Sequence, residues 1–241
     1  MCIRDRFAHP AVKRDFSSEG LFHQLMQTMV PGSTAFAGIF QVQPGHVVKV
    51  QRQGGLLRTS GHKYWDLDFP KADERDPAIS EEEHIKAIRS SLLEAIEMRL
   101  VADVPVGCYL SGGIDSCSIL GLAAAVNQSP IKAFTIGFDD SRYDETDIAK
   151  EMAEATDAEQ DVMRLSGDDL YDHFETTLWH TERTIYNTLG VAKYLMSRHV
   201  RHVNYKVVLT GEGSDELFAG YPAFRRDMFL HGQDHLSNGD Q

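Results

Sequence analysis

The chain has 241 residues, room for one large or two small domains, and its 42 % hydrophobic content is that of an ordinary globular protein. A net charge of −12 and an isoelectric point near 5.3 exclude a surface built for nucleic acid or anionic membrane, either of which needs a concentrated Lys/Arg field. Cys2, Cys108 and Cys117 lack metal-ligand spacing and form no disulfide framework, and neither a secretory segment nor a membrane-length apolar run is present. The expectation is a cytoplasmic protein whose partners are small molecules or protein.

No repeat divides the chain. The first six residues, "MCIRDR", pose one question, whether Cys2 is an N-terminal nucleophile whose own α-amine acts as its base. Residues 32–69 carry Gly32, Gly38, Gly45, Gly54, Gly55 and Gly61 among alternating stretches such as Val47-Val48-Lys49-Val50, which predicts short strands and tight turns. The polar stretch "FPKADERDPAI", with two prolines, marks a linker, assigned to 71–80. Ser80 and Glu83 then form a capping-box signature, and Ile85, Ile88, Leu92, Ile96 and Leu100 recur at helical spacing, predicting a helix over 81–101.

Beyond it, short apolar runs alternate with helical patterns. Strands are predicted at 104–110, 131–138, 159–165 and 205–211, and helices near 116–127, 144–157, 167–180 and 189–203. This alternation predicts the α/β class, a parallel sheet flanked by helices, with ligands beyond the carboxyl ends of the strands.

Two loops fall at such ends. "SGGIDS", Ser111–Ser116, follows a strand pattern and opens a helix. Its glycines let the backbone approach an anion, and the free N–H groups of the helix favour negative charge. It is not a Walker A loop, since the lysine is missing. Asp115 would repel phosphate unless both held a Mg²⁺. The plain alternative is a turn followed by a helix cap. "TGEGSDE", Thr210–Glu216, ends the last strand pattern and sets Glu212, Asp215 and Glu216 close together, which a cation or a protonatable substrate group would offset. Read alone it could be a solvated acidic turn with Ser214 as a cap. Read together, the loops are the two sides of an ATP–magnesium site.

"SGGIDS" resembles the pyrophosphate-binding loop of PP-loop ATP pyrophosphatases, a fold of the adenine nucleotide alpha hydrolase type. Its combination with "LTGEGSDELFAGY" resembles the synthetase domain of glutamine-hydrolysing asparagine synthetases. "RLVADVPVGCYLSGG", "FTIGFDDSRYDETDIAK" and "IYNTLGVAKYLMSR" are similar to further stretches of that family, and the resemblance runs over about residues 20–230.

The resemblance implies that the β-carboxylate of L-aspartate attacks the α-phosphate of ATP, giving β-aspartyl-AMP and pyrophosphate, and that ammonia, normally glutamine-derived, then displaces AMP. On this chain it implies that Ser111, Gly112, Gly113, Asp115 and Ser116 hold the pyrophosphate. Leu110 and Ile136 would flank adenine and ribose, with Thr210 and Gly211 on the nucleotide's other side. Glu212 would handle the proton as ammonia attacks, and Asp115 and Asp215 would bind Mg²⁺. A homodimer of the full-length protein is a further expectation. Cys108 and Cys117 read as buried small hydrophobes, and His199 and His202 as part of a solvated basic helix face rather than metal ligands. "ERTIYN", residues 182–187, could line the aspartate pocket.

By the same resemblance residues 1–70 correspond to the far end of a glutaminase domain of the N-terminal-nucleophile type, a β-rich remnant in which residues 1–6 are candidates for non-native sequence. Cys2 lacks the Gly-rich strand that should follow it and reads as coincidental. Residues 81–241 correspond to an ATP-binding domain cut short at its C-terminus. The alternatives left open are a related AMP-forming amide synthetase of the β-lactam synthetase type, an inactive nucleotide-binding fragment, and a glutaminase acting through Cys2.

Overall fold

A computed structural model describes residues 3–28, 30–71, 74 and 79–231. In chain order the elements are a 3₁₀ turn Ile3–Ala8, α1 (Ser18–Leu25), β1 (His46–Gln53), β2 (Leu56–Lys63), α2 (Glu81–Leu100), β3 (Val106–Tyr109), α3 (Ile114–Val126), β4 (Lys132–Phe138), α4 (Thr146–Ala155), β5 (Glu159–Leu165), α5 (Gly167–Asp172), α6 (Phe174–Thr181), α7 (Leu189–His202), β6 (Val207–Leu209), α8 (Ser214–Phe218) and α9 (Pro222–His231). They fall into two units: the described residues up to Ile79 with His173–Gly190, and Ser80–Asp172 with the residues from Val191 on. His173–Gly190 thus groups with the residues up to Ile79. The helix expected over 167–180 is interrupted at His173, which caps α6 with non-helical ψ, and the unit boundary lies there.

The larger unit is built on a four-stranded sheet of order β5-β4-β3-β6, every pair parallel. The chain runs outward from β3 through β4 to β5, then returns to place β6 on the other side of β3. The strand order therefore reverses between β3 and β6, and at such a reversal the loops leaving the carboxyl ends diverge and open a crevice. Both candidate loops leave these two strands.

Strand alternation sorts the side chains onto two faces. Cys108, Leu110, Ala133 and Leu209 join Ile96, Leu120, Ala123, Ala149 and Ala153 in one cluster, while Phe134, with Tyr109, Ile136 and Val208, packs on Met196 and Val200 of α7. Gly107 permits this second packing, because a Cβ there would stand 2.7 Å from the Phe134 ring and 2.9 Å from the Lys132 carbonyl. The capping box expected at Ser80 is present: Glu83 N donates to Ser80 Oγ at 3.3 Å, and Ser80 N to Glu83 Oε2 at 2.9 Å. The apolar stripe of α2 is only partly used, since Ile96 is buried and Ile85 and Ile88 are exposed.

The smaller unit contains the β1–β2 hairpin, whose two-residue turn Gly54-Gly55 has positive φ at both positions, as the twist of a tight hairpin requires. Along both strands every residue beyond His46 is exposed. Ser17 caps α1, accepting from Gly20 N at 3.0 Å, and Phe36 meets the Phe7 and Phe16 rings. The Glu182 carboxylate accepts from the amides of Ile3 and Arg4 and from Arg4 Nε, and Arg4 lies 3.6 Å above the centre of the Trp179 ring. Burial opposes the charge on Glu182, but these donors together hold its pKa below the usual carboxylate range. That carboxylate is thus already engaged within the smaller unit. The predicted linker lies mostly outside the described residues, as does Cys2.

Candidate nucleotide site

The loop after β3 is an open helix start. Gly113 is the N-cap of α3 and makes no side-chain capping bond, and Cys117 N is the first amide to bond back, to Gly113 O at 3.1 Å. The N–H groups of Ile114, Asp115 and Ser116 therefore have no acceptor within the helix, the arrangement that favours an anion. Ile114 is 80 % exposed, which puts this turn at the surface of the unit.

Ser116, buried, organises the loop. Its hydroxyl accepts from Ser111 N at 3.1 Å, lies 2.9 Å from Ser111 Oγ, and reaches the carbonyls of Gly113 at 3.1 Å and Ser111 at 3.2 Å. Ser111 Oγ in turn accepts from Gly113 N at 3.1 Å. The two serines act first on the shape of the loop. Neither a side-chain cap from Ser116 nor one from Ser214 is present, because Gly113 and Gly213 are the caps and Ser214 Oγ donates to Gly211 O at 2.9 Å.

The loop after β6 lies directly against this turn. A Cβ on Gly211 would stand 2.7 Å from Asp115 Cβ and 2.9 Å from Ser116 N. The structure thus brings together Ser111, Gly112, Gly113, Asp115, Ser116 and Gly211, with Thr210 one residue before the contact. Leu110 and Ile136, expected beside adenine and ribose, differ in placement, one just past a strand and the other within one. Leu110 lies just past β3, its side chain is 2 % exposed, and its amide donates to Phe134 O at 2.8 Å, so only its carbonyl remains to offer. Ile136 is inside β4 and packs with the cluster under α7.

The acidic groups of the second loop diverge. Glu212 pairs with Lys193 Nζ from α7. Asp215 packs beneath Gly220, whose Cβ would fall 3.0 Å from Asp215 Cγ, and accepts from Gly220 N at 3.0 Å through its carbonyl. Glu216 accepts from Tyr221 Oη at 2.9 Å, which raises the Tyr221 pKa. Among the described residues no three His, Cys, Asp or Glu side chains converge on a metal position. This donor set does not make a closed metal cage; it fits Mg²⁺ only in the way that ion is commonly held, by one or two carboxylates with phosphate and water oxygens completing the shell.

Two residues that the sequence reading did not single out belong here. Glu145, at the N-cap of α4, accepts from Gly112 N at 3.1 Å, so a carboxylate sits on an amide of the loop expected to hold phosphate. Lys193 is the other. Each is an unremarkable charge in its own stretch, and no spacing rule points to either. Cys108 is buried as expected, and burial pushes its thiol up to about 12; Cys117 is half-buried and raised for the same reason. His199 is not on a solvated face: its Nε2 lies 2.9 Å from Asp161 Oδ1 and its ring packs edge-on to Phe134.

The asparagine synthase family profile matches residues 87–238, from the middle of α2 through both loops. The chain belongs to the asparagine synthase family. It is similar to the amidase chyE of Penicillium rubens, with 39 % identity over 220 residues, covering 86 % of this chain and 32 % of that protein. It is also similar to the amidase chry2 of Gibberella zeae, with 36 % identity over the same shares. Asparagine synthetase [glutamine-hydrolyzing] 1 of Bacillus subtilis is 28 % identical over 93 % of this chain and 34 % of its own length. The chain spans about a third of the length of these curated relatives. No helix among its described residues is long and apolar enough to cross a membrane.

Proposed function

We propose that the larger unit carries the ATP-binding half of an AMP-forming amide synthetase, and that its substrates are ATP, L-aspartate and ammonia. A carboxylate is a poor acyl donor until one oxygen becomes part of a good leaving group. Attack of that oxygen on the α-phosphate forms the C–O–P link and releases pyrophosphate. Ammonia then attacks the acyl carbon, the C–O bond breaks with its electron pair leaving on AMP, and the surplus proton passes to Glu212.

The chain's own residues contribute mainly position and charge. The amides of Ile114, Asp115 and Ser116, and that of Gly112 once Glu145 is displaced, receive the departing pyrophosphate, and the two serine hydroxyls, with the Gly113 amide bonded to Ser111, hold the turn in the shape that presents them. Mg²⁺, bound by Asp115 and Asp215 together with phosphate oxygens, would supply neutralising charge. Glu212, flanked by Gly211 and Gly213, is free of local backbone crowding and can meet the attacking nitrogen. The observation that supports this reading is the close approach of Gly211 to Asp115 and Ser116, which sets the two loops against each other at the sheet's reversal point.

A second reading has its own support. Identity to the two proteins named amidases is higher than to the Bacillus asparagine synthetase, which favours the same activation applied to a carboxylate other than L-aspartate. Release of AMP and pyrophosphate from Mg-ATP with ammonium and L-aspartate, beside a panel of other carboxylates and Asp115→Asn, tests both. Release that needs aspartate and Asp115 supports the first reading, and release with another carboxylate alone supports the second. Folded protein that binds no ATP would reject both.

A further inference from the structure

The geometry points to Lys193 as the positioning residue for Glu212, an inference that rests on the amide-forming reaction proposed above. Glu212 stands on a short loop between Gly211 and Gly213, the latter at φ +98°, and its exposed side chain has little packing to fix it. Among the described residues, the side chain that bonds it is Lys193, whose Nζ reaches Glu212 Oε1.

Lys193 is itself well anchored at the backbone. The apolar face of α7 is buried through Val191, Ala192, Leu195, Met196 and Val200. One turn beyond Lys193, Ser197 Oγ donates to the Lys193 carbonyl at 2.7 Å and lies 3.1 Å from Tyr109 Oη at the end of β3. The ammonium group thus projects from a helix fixed to the strand that carries the pyrophosphate loop, and it holds the carboxylate on the loop after β6.

The surroundings give this contact its meaning. Asp115, Glu145, Glu212, Asp215 and Glu216 all lie in the segments that follow β3, β4 and β6, and "SGGIDS" has no lysine. An exposed ion pair adds little to stability. Its effect is on orientation: Lys193 keeps Glu212 aimed, ready to take the proton released as nitrogen attacks, and leaves carboxylate activation to the other loop.

The test separates the two half-reactions. ATP–pyrophosphate exchange and amide formation from ammonium are measured for the whole chain and for Lys193→Met, Lys193→Arg, Glu212→Gln and the Lys193→Met/Glu212→Gln double variant. Loss of orientation predicts that Lys193→Met lowers amide formation about tenfold while exchange stays within about twofold. Lys193→Arg should restore most of it, and the double variant should be no worse than Glu212→Gln alone. Equal loss of exchange and amide formation, or additive loss in the double variant, would overturn the assignment. Competitive acetylation read by peptide mass spectrometry supplies a readout without turnover: Lys193 should label about threefold faster in Glu212→Gln, within the small range of an exposed pair. An unchanged rate would overturn the pairing. A wild-type chain without exchange counts against the proposed reaction, and acetylation then decides the pairing by itself.

Discussion

Gly211 and Asp115 are in backbone-level contact: the Cβ that residue 211 lacks would sit 2.7 Å from Asp115 Cβ. Only glycine lets the loop after β6 come this close to the start of α3. Gly211→Ala should therefore push the loops apart, with an overpacking cost of about 1–3 kcal/mol and a loss of Mg-ATP affinity. Gly213→Ala is the control of different cause. Its Cβ meets nothing within 4 Å, but its φ of +98° is strained for any side chain, so about 1 kcal/mol of stability should go with a smaller effect on binding. Thermal unfolding and calorimetric titration of both variants check the contrast.

Ser116 Oγ is surrounded by Ser111 N, Ser111 Oγ and the carbonyls of Ser111 and Gly113, all within 3.2 Å. Ser116→Ala leaves the Ser111 amide without that acceptor in a half-buried place and should cost about 1–3 kcal/mol of stability. Because this hydroxyl shapes the loop, pyrophosphate affinity should fall too, and Ser116→Thr, which keeps the hydroxyl, should retain more of it. Denaturant unfolding and pyrophosphate titration together read the two effects.

The sheet was legible because its strands are short apolar runs between helical patterns, and all four strand positions fall within two residues of those observed. The loops were legible because glycine and acidic residues there are placed by backbone geometry, and geometry of that kind leaves a local mark. What was not legible depends on partners distant in sequence. Nothing local tells that Glu145 meets Gly112 or that Lys193 meets Glu212, and His199 looked solvated because Asp161 lies 38 residues away. The break at His173 was missed for a related reason: "DDLYDHFETTLW" keeps helical composition throughout, and the change of unit interrupts it.

Cys108 and Cys117 differ in access although nine residues apart. Burial disfavours the thiolate in both, and Cys108, fully buried, is pushed up to about 12. Since the thiolate is the reactive form, raising the pKa lowers reactivity at any pH below it. At pH 8, iodoacetamide should leave Cys108 unmodified in the folded protein, label Cys117 slowly, and label both at once in denaturant. Peptide mass spectrometry after timed quenching reads this directly, and rapid labelling of Cys108 would show that β3 is not in the core.

Glu145 occupies with its carboxylate the Gly112 amide that a phosphate oxygen would need, at 3.1 Å. Without a divalent ion, an arriving pyrophosphate must displace this carboxylate and meets its charge. Glu145→Gln removes the charge at nearly constant size. In the presence of a chelator, inorganic pyrophosphate should bind this variant about threefold to tenfold more tightly than wild type, with the gain shrinking as salt is raised, because the repulsion being removed is that of an exposed group. With Mg²⁺ present the gain should narrow, since the ion already offsets the repulsion between the two anions. Calorimetric titration at low and high salt, with and without Mg²⁺, checks each part, and weaker chelator-state binding in the variant would mean that Glu145 supports the anion seat rather than competing for it.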